Sequence, residues 1–380
     1  MDFQLSEEQK MIQQAARDYA NRELIQDVLE RDANSIYPAK HVKALADLGF
    51  MGMMVNPKYD GGGMDTISYV LAMEELSKVD ASVAVIVSVN NSLVCYGLEE
   101  FGTEDQKEKY LRPLARGEII GAFLLSEPEA GSDATSQHTL AEDLGDYYLL
   151  NGTKNWITNG NSASVYIVMA QTHPELKHKG INSLIVDRNS PGITLGPHED
   201  KMGMRSSDTH SVMFTDVKVP KENRLGPDGF GFKMAMKTLE GGRLGIAAQA
   251  LGIASGAYER ALKYSKERKA FGTEIFNHQS VAFKLAEMYT RIETGRLLCF
   301  HAAWLKDKGL PYGTASAMAK YHCAETAMWV TTEAVQIHGG YGYVREYHVE
   351  RLMREAKLTQ IYEGTSEIQK LIISRDIFSK

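Results

Sequence analysis

The chain has 380 residues and a formal net charge of −7, with 43% hydrophobic and 24% charged residues. That length favours two or three packed units over one small core, and the acidic balance argues against a nucleic-acid-binding face. Its three cysteines, Cys95, Cys299 and Cys323, are far apart in sequence and lack ligand spacing, which excludes a disulfide scaffold or a Cys-rich zinc site.

The N-terminal MDFQLSEEQK has neither a basic n-region nor an apolar h-region, so no secretory signal is read there. The most apolar run, Ala81 to Val89, is too short to span a bilayer, and no membrane insertion is expected. A bacterial cytoplasm suits these features, as does a mitochondrial matrix after loss of a transit peptide. To about residue 120 the chain reads as successive helices. Ser6 and Gln9 form a capping box ahead of a helix with Ile12, Ala15, Ala16 and Tyr19 on one face. Gly49 stops the helix carrying Val42, Leu45 and Leu48. Asp80 caps a helix whose run Val83 to Val89 is buried on most sides.

From 121 to 230 the period becomes that of short strands. Tyr147–Leu150, Asn151-Gly152 and Thr153–Thr158 read as a hairpin with a type I′ turn. Val165–Ala170, Ile181–Asp187 and Ser211–Val219 are further strands, closed by Pro220. From 231 to 380 the chain is helical again, with glycine breaks at Gly241-Gly242 and Gly339-Gly340. The predicted fold is α+β: an N-terminal helical domain (1–120), a central antiparallel β domain (121–230) and a C-terminal helical domain (231–380).

The most informative segment is Ile361-Tyr362-Glu363-Gly364-Thr365-Ser366-Glu367-Ile368-Gln369. Ser366 and Gln369 match a second capping box, so a helix begins there, with Glu363 on the turn before it beside a permissive glycine. A helix N-terminus offers free N–H groups to a polarised carbonyl. A carboxylate enclosed beside an aromatic has its pKa raised by desolvation, as a base near neutrality requires. On its own, such a glutamate is more often a solvated surface residue.

Four other motifs precede it in order: LLSEPEAGSD (124–133), NGTKNWITNG (151–160), RKAFG (268–272) and QIHGGYG (336–342). Together the five motifs closely resemble the acyl-CoA dehydrogenase family over essentially the whole chain. The resemblance implies FAD as cofactor and a homo-oligomer, expected to be a tetramer. It places Phe123, Leu125, Ser126 and Ser132 along the flavin, with Ser132 also at the substrate thioester, and Trp156 and Thr158 stacked on or bonded to the ring. Arg268, Phe271 and Gln279 then reach the FAD of a neighbouring subunit, and Gln336, Gly339 and Gly340 embrace its pyrophosphate. Thr365 and Glu367 join the cofactor set, while Glu240, Arg243, Tyr362 and Gly364 line the substrate. Some family members carry the base one residue before the arginine, at the position of Gly242 here. Glu240 is a poor substitute because residues two apart on a helix face opposite ways. The resemblance therefore implies Glu363 as the base.

The implied reaction is α,β-dehydrogenation of a short acyl-CoA, butyryl-CoA above all, with electrons passed to an electron-transfer flavoprotein. No arginine in Ser88–Leu93 suits a dicarboxylate tail, and medium-chain or 2-methyl-branched substrates remain alternatives. An oxygen-using oxidase or monooxygenase on the same fold is a rival, as is a colourless helical scaffold protein. A nicotinamide enzyme is disfavoured because no glycine fingerprint opens a βαβ unit.

Overall fold

A computed structural model describes residues 4–379, so the first three residues of the N-terminal reading lie outside those described. The capping box forms: Ser6 Oγ accepts from the Gln9 N–H at 3.1 Å, and the Ser6 N–H donates to Gln9 Oε1 at 3.0 Å. It starts α1 (Glu7–Tyr19), which passes through a π-helical turn into α2 (Ile25–Asn34). α3 (Ala39–Asp47) ends at Gly49, where φ is 81° and the Phe50 N–H donates back to the Leu45 carbonyl at 2.8 Å. α4 (Thr66–Ser77) and α5 (Ala81–Ser88) follow, the latter capped by Asp80, which accepts from Ser82 and Val83. α5 continues through a π-helical stretch into α6 (Tyr96–Phe101), and two short turns, α7 (Glu104–Gln106) and α8 (Arg112–Ala115), finish the region.

One expectation changes here. Ala81–Phe101 is a single helical run of 21 residues, long and apolar enough by length and composition to cross a membrane, whereas the sequence reading stopped at Val89. Its most apolar window is 94% buried inside the protein, because α4, α9 and β1 pack around it.

The central sheet has eight strands among the described residues: β1 (Gly121–Leu124), β2 (Leu140–Asp143), β3 (Tyr147–Thr158), β4 (Val165–Gln171), β5 (Ile181–Asp187), β6 (Ile193–Leu195), β7 (Thr209–Pro220) and β8 (Arg224–Leu225). The spatial order is β6-β7-β3-β2-β4-β5-β8, with β1 also on β4. The sheet is mixed, not purely antiparallel, since β1 and β2 both run parallel to β4. The Asn151-Gly152 hairpin is absent, and β3 runs straight through it. Gly152 (φ 145°) lets β2 close in: a Cβ there would lie 2.7 Å from Thr139 Cα. The Asn151 side chain spans a bulge on β7, accepting from the Asp216 N–H at 2.8 Å. The true turn into β3 is at Leu144–Asp146, where Asp143 accepts from the Gly145 N–H at 3.0 Å and the Leu144 N–H reaches the Tyr147 carbonyl.

α9 (Gly231–Glu267) is 37 residues long and passes unbroken through Gly241-Gly242, so that pair is no helix break. A small hairpin, β9 (Lys269–Ala270) and β10 (Thr273–Glu274), leads to α10 (Gln279–Asp307) and α11 (Gly313–His338), which does end at Gly339 with φ 61°. α12 (Val349–Thr359) completes a bundle with α9, α10 and α11, and α13 (Ser366–Ser379) lies along α11. α4 packs on α9, joining the N-terminal helices to the bundle. Cys299 on α10 and Cys323 on α11, distant in sequence, meet with sulfurs 3.6 Å apart as free, buried thiols.

Candidate active site

Glu363 sits on the turn between α12 and α13, and the backbone there is unusual. Glu363 has φ 51° and Gly364 φ 90°, the left-handed region in which a glutamate is strained. Gln369 holds the turn from below, its Nε2 donating to the Gly364 carbonyl at 2.8 Å and the Glu363 carbonyl at 3.2 Å. Lys320 Nζ donates to the same Gly364 oxygen at 2.7 Å. α13 begins where expected, but its cap lies one residue earlier than read. Thr365 Oγ1 accepts from the Ile368 N–H at 3.3 Å, while Ser366 Oγ donates to Glu325 at 2.6 Å and Gln369 is drawn to the Glu363 turn.

The Glu363 side chain points at α9. A Cβ on Gly242 would overlap its carboxylate and come within 2.8 Å of Leu93, so only glycine admits the carboxylate there. Oε2 is buried without a hydrogen-bond partner. Burial raises the Glu363 pKa to about 7, against the opposing pull of Lys320 and Arg243. Arg243 is itself buried, with a bare Nε and no carboxylate in ion-pair range among the described residues. Glu240 and Glu363 both act on it through their charge, but neither is hydrogen-bonded to it. Glu240 is half-buried on α9, its pKa raised by desolvation against Arg243. Tyr362 turns its hydroxyl to Gln249 Oε1, and Gln249 donates to the Ala81 carbonyl at 2.7 Å. The floor between α5 and α9 is closed by Tyr69, bonded to Ser88 at 2.8 Å and lying against Gly245.

The sheet brings the next two motifs together. The Asn155 N–H donates to the Ser126 carbonyl at 2.9 Å, and Lys154 Nζ reaches Glu127 at 2.8 Å, Gln137 at 3.0 Å and the Leu125 carbonyl at 3.1 Å. Glu127 also accepts from the N–H groups of His138 and Thr139, at 2.6 and 3.1 Å, which folds the 127–139 loop down. This buried ion pair went unread in the sequence. Phe123, Leu125 and Ser126 are half-buried on β1 and just after it, and Ser132 is exposed on the loop. A β3 bulge between Lys154 and Ile157 places Trp156 at φ 61° with its indole 62% exposed, so it is not a sheet-core aromatic. Thr158 pairs with Thr209 on β7 two residues on.

A separate cleft of about 530 Å³ gathers Arg268, Gly339 and Gly340 with Tyr264, His338 and Tyr341. A Cβ on either glycine would meet nothing within 4 Å, and Arg268 has no carboxylate partner among the described residues; its guanidinium lies over Tyr341 at 5.6 Å. His338 is structural, stacked on Tyr264 at 4.3 Å and bonded to the Ala334 carbonyl at 2.7 Å. Phe271 stands outside the cleft at the hairpin tip, at φ 54° and 98% exposed. Gln279 and Gln336 are exposed at the start of α10 and the end of α11. Glu367 is exposed in the first turn of α13. An exposed indole on a bulge, and an open glycine cleft with an unpaired arginine, fit a flavin dinucleotide: the one presents a flat π face, the other suits a pyrophosphate. No cluster of metal-ligating side chains occurs among the described residues.

Helices, sheet and helices thus surround an unpaired carboxylate oxygen beside surfaces that suit a flavin dinucleotide. Family models for acyl-CoA dehydrogenases match three segments: the N-terminal domain at residues 6–118, the middle domain at 122–217 and the C-terminal domain at 229–378. The chain belongs to the acyl-CoA dehydrogenase family. It is 48% identical over 378 residues to the short-chain specific acyl-CoA dehydrogenase of Clostridium acetobutylicum, covering 100% of both chains. The butyryl-CoA dehydrogenase of Megasphaera elsdenii superposes with a TM-score of 0.98 at 48% identity, covering 100% of both. A chain solved in work on the electron transferring flavoprotein of Acidaminococcus fermentans and flavin-based electron bifurcation gives 0.99 at 49% identity, again over 100% of both.

Proposed function

We propose that this enzyme dehydrogenates a short acyl-CoA, butyryl-CoA above all, to the trans-2-enoyl-CoA, with Glu363 as the α-proton base. The observation that carries this reading is the Glu363 carboxylate seated on Gly242, its Oε2 buried and unpaired and its pKa raised to about 7. FAD is the cofactor, and when bound it supplies the acceptor for the β-hydride. The Glu363 Oε2, without a protein partner, takes the α-proton. The Glu363 N–H has no acceptor among the described residues and is free to donate to the thioester oxygen as negative charge develops there. Tyr362, Gly364, Glu240 and Arg243 enclose the reacting end and keep water from it.

Trp156, Thr158, Phe123, Leu125, Ser126 and Ser132 form the flavin wall in this reading. Arg268, Phe271, Gln279, Gln336, Gly339, Gly340, Thr365 and Glu367 complete the dinucleotide site. The bare Phe271 and the open cleft favour completion by a second subunit, so a homotetramer is expected. The division at residues 120 and 230 belongs to the same account, as does electron-transfer flavoprotein as acceptor. A reducing compartment suits three free buried thiols. The short-chain preference draws on the Clostridium and Megasphaera relatives, and on Leu93, Tyr69 and Ser88 crowding the Gly242–Gly245 face of α9.

Anaerobic titration of the purified protein with acyl-CoAs of graded length tests this. Butyryl-CoA should bleach the flavin more efficiently than octanoyl-CoA. No bleaching by any acyl-CoA would overturn the assignment.

A further inference from the structure

Lys320 on α11 is completely buried, and among the described residues no carboxylate comes within ion-pair range of it. An ammonium enclosed this way is costly unless its charge or its donors do something specific. Its hydrogen bond goes to the Gly364 carbonyl at 2.7 Å, the oxygen that Gln369 also holds at 2.8 Å. Two enclosed donors thus converge on the Gly364 carbonyl, one residue past Glu363, where the chain is forced left-handed. A neutral donor would satisfy that carbonyl at a lower desolvation cost. The lysine adds a positive charge facing the base.

The groups around the pair come from five elements. Glu363 faces Lys320 from α11, Arg243 from α9, Tyr69 from α4 and its neighbour Tyr362. Lys320 faces Glu363, Glu325 on its own helix, Arg243, and Glu367 from α13. Of the two cations acting on Glu363, Lys320 acts more strongly. Burial meanwhile pulls the lysine itself down to about 8.

We infer that Lys320 is a positioning residue for Glu363: its ammonium anchors the Gly364 carbonyl, one residue past Glu363, and sets a positive charge beside the base. This rests on Glu363 being the base. Charge and hydrogen bond are separable by substitution. Lys320→Gln keeps a donor without the charge, Lys320→Met removes both, and Lys320→Arg keeps the charge.

The test uses the FAD-loaded enzyme and needs no turnover. The infrared band of the protonated Glu363 carboxyl, assigned by its loss in Glu363→Gln, is followed against pH. In K320Q and K320M the band should persist to a pH about one unit or more above wild type, and in K320R it should stay near wild type. Flavin reduction by butyryl-CoA at pH 7 should fall about tenfold in K320Q and recover at higher pH. In K320M it should recover only in part, because the turn has lost its anchor. A band that titrates as in wild type in K320Q overturns the inference, and K320Q decides alone if K320M does not fold. If wild type is not reduced by any acyl-CoA, the functional reading fails instead, whatever the band does.

Discussion

Glu127 and Glu363 are both enclosed carboxylates with a buried lysine at hand, yet they are used in opposite ways. Glu127 touches Lys154 at 2.8 Å and accepts two backbone N–H groups, so its pKa is held below the ordinary carboxylate value despite burial. Glu363 faces Lys320 and Arg243 without touching either, keeps a bare oxygen, and is raised to about 7. The same residue types make a structural rivet when they meet and, in the proposed reading, a base when they are held apart. In the first case the hydrogen bonds stabilise the charged form; in the second, burial acts against it.

That contrast is open to direct attack. The largest effect is expected at the reactive carboxylate: Glu363→Gln should keep the fold and bound FAD but lower flavin reduction by butyryl-CoA by ~10³-fold or more. Stopped-flow absorbance measures it, and near-normal reduction would move the base elsewhere. Next comes the rivet. Lys154→Met strands Glu127 in the interior and should cost about 3–5 kcal/mol in denaturant unfolding, most of it recovered when Glu127→Gln is added. A loss under 1 kcal/mol would mean the pair is not the clasp described. The smallest structural effect belongs to Trp156→Ala, whose exposed ring should cost less than ~0.5 kcal/mol of stability yet weaken FAD retention, read by flavin content after gel filtration. Unchanged flavin content would remove the indole from the cofactor wall.

Much of this was legible in the sequence because it rests on local chemistry. The Ser6–Gln9 box, the Asp80 cap and the Gly49 stop each need only a few neighbouring residues, and all three formed. Glycine was less readable, since one residue type serves several geometries. Asn151-Gly152 matched a hairpin turn but lies in a continuous strand beside a bulge, and Gly241-Gly242 matched a break but lies inside a helix that needs the space. The Thr365 cap was misread because Gln369 has a competing task at the Glu363 turn. Partners far apart in sequence were invisible: nothing near Lys154 points to Glu127, and nothing near Lys320 points to Gly364, separated by 27 and 44 residues. The strain at Trp156, Phe271 and Glu363, each at positive φ, also needed coordinates. Trp156 and Phe271 were found only through the motif resemblance, whereas Glu363 already stood out on the turn before a helix start.

The pH dependence of flavin reduction by butyryl-CoA, followed in single turnovers from pH 5 to 9, tests the central claim most directly. A carboxyl raised to about 7 is mostly protonated and idle below that pH and ionised above it. The rate should therefore rise with pH through one ionisation near 7 and level off, and the rise should vanish in Glu363→Gln. A rate flat across this range, or one rising through an ionisation near the ordinary carboxylate value of about 4.3, would contradict a base at Glu363 with a buried, unpaired oxygen.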